Sequence, residues 1–218
     1  MGRFTTTMAI ATLAGSALGQ TATPFTEDFE NGLSNWDART PLVASLGTEG
    51  SNSFARITGD VSGGSFGAST FFGGDAGTNF SDGNLSGDFL SGGIDTLSFD
   101  VRHDSSAPLT FSLRIATQGN FPAFLALGFA PVAASSEFTT VSFDISPDNP
   151  ALIPEAGTIA GILSDVTAIQ FLVGLPDGVS EVQGVTIDVD NVSAVPAPAG
   201  ATALLAAGGL VARRRRRA

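Results

Sequence analysis

Leu97, Phe99 and Val101 alternate with Ser98, Asp100 and Arg102, and Phe111, Leu113 and Ile115 alternate with Ser112 and Arg114. A two-residue period of this kind predicts strands with one buried face. The same period returns in 141–145 (VSFDI), in 169–173 (IQFLV) and most clearly in 185–190 (VTIDVD). Weaker stretches of the same type are Pro24 to Phe29, Ser53 to Thr58 and Ala68 to Phe72. About eight strands with no long amphipathic helix between them predict two packed antiparallel sheets, an all-β sandwich. The alternation also sets which way each side chain faces. Phe99, Phe143 and Ile187 are expected inside, and Ser98, Asp100 and Asp188 outside. Asp144 and Asp190 fall on outward positions too, where solvated strands commonly carry charge.

Two segments interrupt the pattern. The Gly-rich stretch from Gly47 to Gly93 is too long for one hairpin loop and is expected to hold a strand near Phe71. The connection from Pro147 to Ser164 is expected to hold a helical turn around Ile159 to Leu163. Apolar residues continue through both, so neither reads as a linker. The composition agrees: 27 glycines and 11 prolines imply many turns, and 17 phenylalanines with no tyrosine and one tryptophan imply a core built on phenylalanine. At 218 residues the chain suits one domain.

Charge separates the body from the ends. There is no lysine, and residues 20–194 hold four arginines against 21 acidic residues, a net of −17. Such a body repels phosphates, which argues against a nucleic-acid partner. Residues 1–19 read as a signal peptide, with a basic head at Arg3, an apolar run from Met8 to Leu18 and small residues at Ala17 and Gly19. At the other end, Val195, Pro196, Ala197 and Pro198 precede an Ala/Gly/Leu run and then Arg213, Arg214, Arg215, Arg216 and Arg217. Ala199 to Ala212 would span about 21 Å as a helix, against a hydrocarbon core of about 30 Å. Arginines closing an apolar run stay on the cytoplasmic side, which places the body across the inner membrane in agreement with the signal. The predicted organisation is therefore a signal helix (1–19), a β-sandwich (20–194) and a C-terminal membrane helix (195–218).

The Pro-x-Pro motif, apolar run and arginine cluster together resemble the PEP-CTERM sorting signal of exopolysaccharide-producing Gram-negative bacteria, with Ala197 where the pattern has Glu. That resemblance implies export machinery, a transient inner-membrane anchor and an exosortase-like processing enzyme as partners, and delivery to the cell surface or extracellular matrix. A second resemblance lies at the two ends of the body. Residues 25–32 (FTEDFENG) followed by Trp36, and 186–193 (TIDVDNVS), are similar to the opening and closing strands of jelly-roll modules grouped with galactose-binding-like domains and carbohydrate-binding modules. It implies a jelly roll. It also implies a structural calcium ion tying the first and last strands, with Glu30 and Asp190 as ligands and Asp28 and Asp188 as helpers.

The remaining chemistry is sparse. Sugar platforms usually need exposed Trp or Tyr, and the single Trp36 reads as a packing residue. His103, the one histidine, lies beside Asp104, Ser105 and Ser106, an adjacency that a serine-rich turn explains without a triad. A second calcium candidate, Asp82 to Asp88, has oxygen ligands at EF-hand-like spacing but Gly93 where the closing Glu belongs. The expectation is a non-enzymatic structural or adhesive matrix protein. A glycan-binding module of the exopolysaccharide matrix is the competing reading, and a hydrolase a third.

Overall fold

The computed structural model describes residues 20–63, 70–74, 80–128 and 130–196. The signal segment, Ala68 and Ser69 of one expected strand, and the tail from Ala197, with Pro198 and Arg213 to Arg217, lie outside the described residues. No helix among the described residues is long and apolar enough to cross a membrane.

Twelve strands form two six-stranded sheets among the described residues. In chain order they are β1 (Phe25–Glu27), β2 (Trp36–Ala38), β3 (Val43–Glu49), β4 (Asn52–Ser62), β5 (Thr70–Gly73), β6 (Thr96–His103), β7 (Thr110–Ala116), β8 (Ala123–Ala126), β9 (Ser135–Asp144), β10 (Leu152–Pro154), β11 (Ala168–Gly174) and β12 (Glu181–Val195). The first sheet runs β3-β4-β12-β6-β9, with β1 also paired to β12, and the second runs β10-β8-β7-β11-β5-β2. Every pairing of strands is antiparallel. The architecture is the expected all-β sandwich of jelly-roll type. The expectation missed β2, β3, β8 and β10, and β12 runs on to Val195, which pairs with Thr96.

The long closing strand β12 organises the first sheet. It takes β4 along Glu181 to Val189 and β1 along Val192 to Ala194 on one side, and β6 along Ile187 to Val195 on the other. A bulge between Asp190 and Ser193 places Asn191 at φ 49°, and this local twist is what lets one strand serve three partners.

Phenylalanines fill the space between the sheets. Phe99 on β6 reaches across to Phe171 on β11 at 4.2 Å between ring centroids and also meets Phe111 and Phe143. Trp36 is buried against both Phe71 and Phe171, its plane 23° and 4° from theirs, and its Nε1–H donates to Ser81 Oγ at 2.9 Å. It packs, as expected. Two short helices cover the core: α1 (Phe89–Gly92), capped by Asp88 and ended by Gly93 at φ 66°, and α2 (Ile159–Leu163), capped by Thr158. Such caps supply partners for otherwise orphaned backbone N–H groups.

Phe99, Phe143 and Ile187 are buried as their register requires. Truncating Phe99 to Ala removes contacts to both sheets at once, and the expected loss is about 3–5 kcal/mol of unfolding free energy. Denaturant melts check this, and a loss below about 1 kcal/mol would contradict the packing described.

Candidate functional site

Asp188 faces outward from β12, directly across from Arg56 on β4 and Arg102 on β6. Arg56 donates from Nε and Nη2 to its two oxygens at 2.7 and 2.9 Å, and Arg102 donates from Nε at 3.0 Å. Arg102 Nη1 also reaches Glu49 Oε2 at 2.6 Å and the Ser136 carbonyl at 3.1 Å. Asp188 is only 5% exposed. The expectation of an exposed carboxylate is thus corrected: it faces outward, but two guanidiniums from the flanking strands, distant only in sequence, cover it. Hydrogen bonding to Asp188 in turn raises the Arg56 pKa above its ordinary value.

Beneath these arginines lies Phe54, fully buried although it points away from the main core. The Arg56 and Arg102 guanidinium carbons stand 5.3 and 5.0 Å from its ring centroid, and Arg102 is also 4.6 Å from Phe138. Gly47 makes this possible, because a Cβ there would approach the Phe54 ring to 2.3 Å.

Asp190 sits in another environment, paired across the ladder with Asp100 and 4% exposed. It too departs from the solvated outward position expected of it. Its oxygens accept from Asn52 Nδ2 at 3.0 Å and the Asn191 backbone N–H at 2.8 Å. Glu30 Oε1 accepts from the Ser53 N–H at 2.8 Å, and Asp28 Oδ1 from the Glu30 N–H at 3.2 Å. Glu30 and Asp190 therefore hold adjacent residues at the start of β4. Asp188 is committed to its arginines instead. Among the described residues no group of three or more carboxylates or imidazoles gathers as a metal-ligand set. Burial pushes the Asp190 carboxyl upward, and the Asp100 and Asp28 charges add to this against the two hydrogen bonds.

The other candidates have structural work. His103 is buried, with Nε2 against the Val132 carbonyl at 3.0 Å and Nδ1 accepting from the Ser105 N–H at 3.3 Å, so both ring nitrogens are used. In the Asp82 to Asp88 turn, Asn84 bonds the Ser81 carbonyl, Ser86 bonds the Gly83 carbonyl and Asp88 caps α1.

The second sheet carries a feature that the sequence did not single out. Along its outer face one residue from each strand lines up in register: Asp37, Phe72, Gln170, Arg114, Leu125 and Ile153. At ~4.8 Å per strand this row is about 24 Å long. Its centre is rigid. Arg114 donates from Nε and Nη2 to Glu155, from Nη1 to Asn120 Oδ1 and Gln170 Oε1, and from Nη2 to the Asn120 carbonyl, which uses all five N–H groups. Gln170 Nε2 donates to the same Asn120 Oδ1 at 2.8 Å. Hydrogen bonding to Arg114 holds the Glu155 carboxyl below its usual value. Apolar surface flanks this polar centre. Phe72 is half-buried on one side; on the other are Ile153, 46% exposed, and Phe121, which follows Asn120 and is 56% exposed. The strip can thus offer flat apolar contact and fixed polar edges to a single extended ligand.

No known family matches the sequence, and no curated protein matches it. Solved structures do match. An exo-β-agarase structure superposes with a TM-score of 0.55 at 15% identity, covering 81% of this chain and 26% of that one, so the chain spans about a quarter of its length. The family 11 carbohydrate-binding module of the cellulosomal cellulase Lic26A-Cel5E of Clostridium thermocellum gives 0.50 at 13% identity, covering 81% of this chain and 96% of that one. The same organism's family 11 module in complex with a β-1,3-1,4-mixed-linked tetrasaccharide gives 0.50 at 14%, covering 84% and 98%. The likeness is one of fold: the chain has the jelly-roll sandwich of these modules.

Because the folded-state pKa of Asp190 lies above its unfolded value of about 3.9, its contribution favours the fold below that pH and is lost as pH rises through the folded pKa. Asp190→Asn is therefore expected to melt higher than the wild type at pH 7 in chelator, and to match it near pH 3. A variant that melts lower at pH 7 in chelator would contradict the crowding of charge described.

Proposed function

We propose that the domain is a non-catalytic glycan-binding module, holding an exported protein to polysaccharide of the cell surface or matrix through the outer face of its second sheet. The row from Asp37 to Ile153 carries this reading. A pyranose chain presents apolar C–H faces and hydroxyl edges in alternation, and the row offers Phe72 and Ile153 to the first and the Gln170 and Asn120 amides, held in place by Arg114, to the second. Phenylalanine here takes the part that Trp or Tyr usually plays. The neighbours' fold supports the reading, since two are carbohydrate-binding modules and one was solved with a tetrasaccharide. A glycosidase acid needs a raised pKa, whereas Glu155 in this strip is held ionised by Arg114.

Affinity electrophoresis through gels containing soluble β-glucan, xylan or agarose tests the reading. The expected result is retardation by at least one neutral polysaccharide, weakened roughly tenfold, or ~1.4 kcal/mol, in Phe72→Ala. Equal retardation of that variant, or migration unaffected by every gel, would contradict it.

The adhesive role needs export, and we infer that the C-terminal segment directs it, through the inner membrane and an exosortase-like enzyme. Neutral residues at Arg213 to Arg217 should leave the sandwich folded but change both the protein's fraction and its mature C-terminus. Unchanged distribution would refute this. A structural calcium ion is a further part of the proposal, resting on Glu30 and Asp190 with Asp28 nearby. The observation favouring it is the crowding of like charge around Asp190, which a cation would relieve. With only two carboxylates, backbone carbonyls and water must complete six to eight oxygens. Calcium should raise the melting temperature of the wild type and leave Glu30→Gln unmoved.

A further inference from the structure

The outer face of the first sheet holds a cleft of about 730 Å³ whose floor is the Arg56, Asp188 and Arg102 network and whose walls include Glu49, Asp104 and Glu137. We propose that this cleft is a second glycan site, so that one domain bridges two polysaccharide strands from opposite sides of the sandwich. Its nature follows from which groups are already used. Asp188 and one edge of each guanidinium are paired with one another, but among the described residues Arg56 Nη1 and Arg102 Nη2 have no hydrogen-bond acceptor, and the Glu137 carboxylate has no donor. The cleft thus presents unspent donors beside unspent acceptors, which is what a hydroxyl, itself both donor and acceptor, requires.

Charge removes the alternatives. Four carboxylates line the cleft against two arginines, so a phosphate or uronate is repelled. A metal ion finds no set of three ligands among the described residues. A neutral polyol remains. The floor is also preorganised: Arg56 and Arg102 rest on Phe54, and Arg102 rests on Phe138 as well. A buried ion-pair network adds little stability over an apolar packing of the same volume, whereas a fixed donor array at the base of a cleft suits recognition.

The site lies on the sheet opposite the row proposed above, and its test separates the two. The purified full chain is titrated calorimetrically with short neutral oligosaccharides from β-glucan, xylan and agarose. The expected stoichiometry is two ligands per chain, falling to one in Arg56→Gln and, independently, to one in Phe72→Ala. Glu137→Ala, whose carboxylate bonds nothing among the described residues, is the second variant in case Arg56→Gln fails to fold, and it too should leave one site. With a long soluble polymer, the wild type should cross-link and precipitate while each variant stays soluble. One ligand per wild-type chain, lost in Phe72→Ala, would overturn the second site and leave the first. One ligand lost in Arg56→Gln or Glu137→Ala would leave the second and remove the first. Two ligands persisting in Arg56→Gln and Glu137→Ala, or none bound from any source, would overturn the second site.

Discussion

Aromatic rings meeting between the sheets set the terms for both outer faces. Two sheets packed face to face stand about 10 Å apart, and here that gap is spanned by Phe99 from one side against Phe171 from the other, with Trp36 stacked on Phe171 and Phe71. Large rings leave little room for polar side chains between the layers, and His103, at the inner end of β6, is buried with both ring nitrogens bonded. The strand arginines Arg56, Arg102 and Arg114, and strand carboxylates such as Asp100 and Asp188, therefore stand on the outer faces, where the register spaces them regularly. The same alternation that buries Phe99 and Ile187 sets Arg102 and Asp188 side by side outside.

In a body at −17, the few arginines decide where negative charge is neutralised. Arg56 and Arg102 share Asp188 above Phe54, and Arg114 gathers Glu155, Asn120 and Gln170 on the opposite sheet. In both places a guanidinium locks neighbouring polar side chains into one geometry, at a site flanked by phenylalanine. Asp190, by contrast, has no arginine partner among the described residues and lies opposite Asp100 in the ladder, which leaves negative charge crowded rather than neutralised at the joint of β1, β4 and β12. The fixed polar platform of the first sheet and this electrostatic strain thus sit at different points on the same closing strand.

Much of the sandwich was legible in the sequence, for a physical reason. Strands β6, β7, β11 and β12 are central or half-covered, so burial of one face writes a clean period of two, and Trp36 could be read as packing from its place after the opening phrase. The missed strands lack that imprint. β3 is an edge strand with exposed Val43 and Leu46, β8 is a four-residue run of small and apolar residues, and β2 and β10 are three residues each. The outer sites were hidden for a different reason. Periodicity says that Asp188 faces out, but not that arginines 132 and 86 residues away will cover it. Nor does any local spacing join Arg114 to Asn120, Glu155 and Gln170, which come from a turn, a loop and another strand and meet only through the register of the second sheet.

The glycan-binding reading stands or falls on whether the outer face of the second sheet receives a neutral polysaccharide. Backbone amide NMR of the protein titrated with a β-glucan or agarose oligosaccharide that it binds locates the contact residue by residue. Shifts are expected to concentrate at Phe72, Gln170, Arg114 and Leu125, with a second set permitted near Arg56 and Glu137. Binding that leaves the Phe72 to Leu125 row unmoved would overturn the assignment of that face.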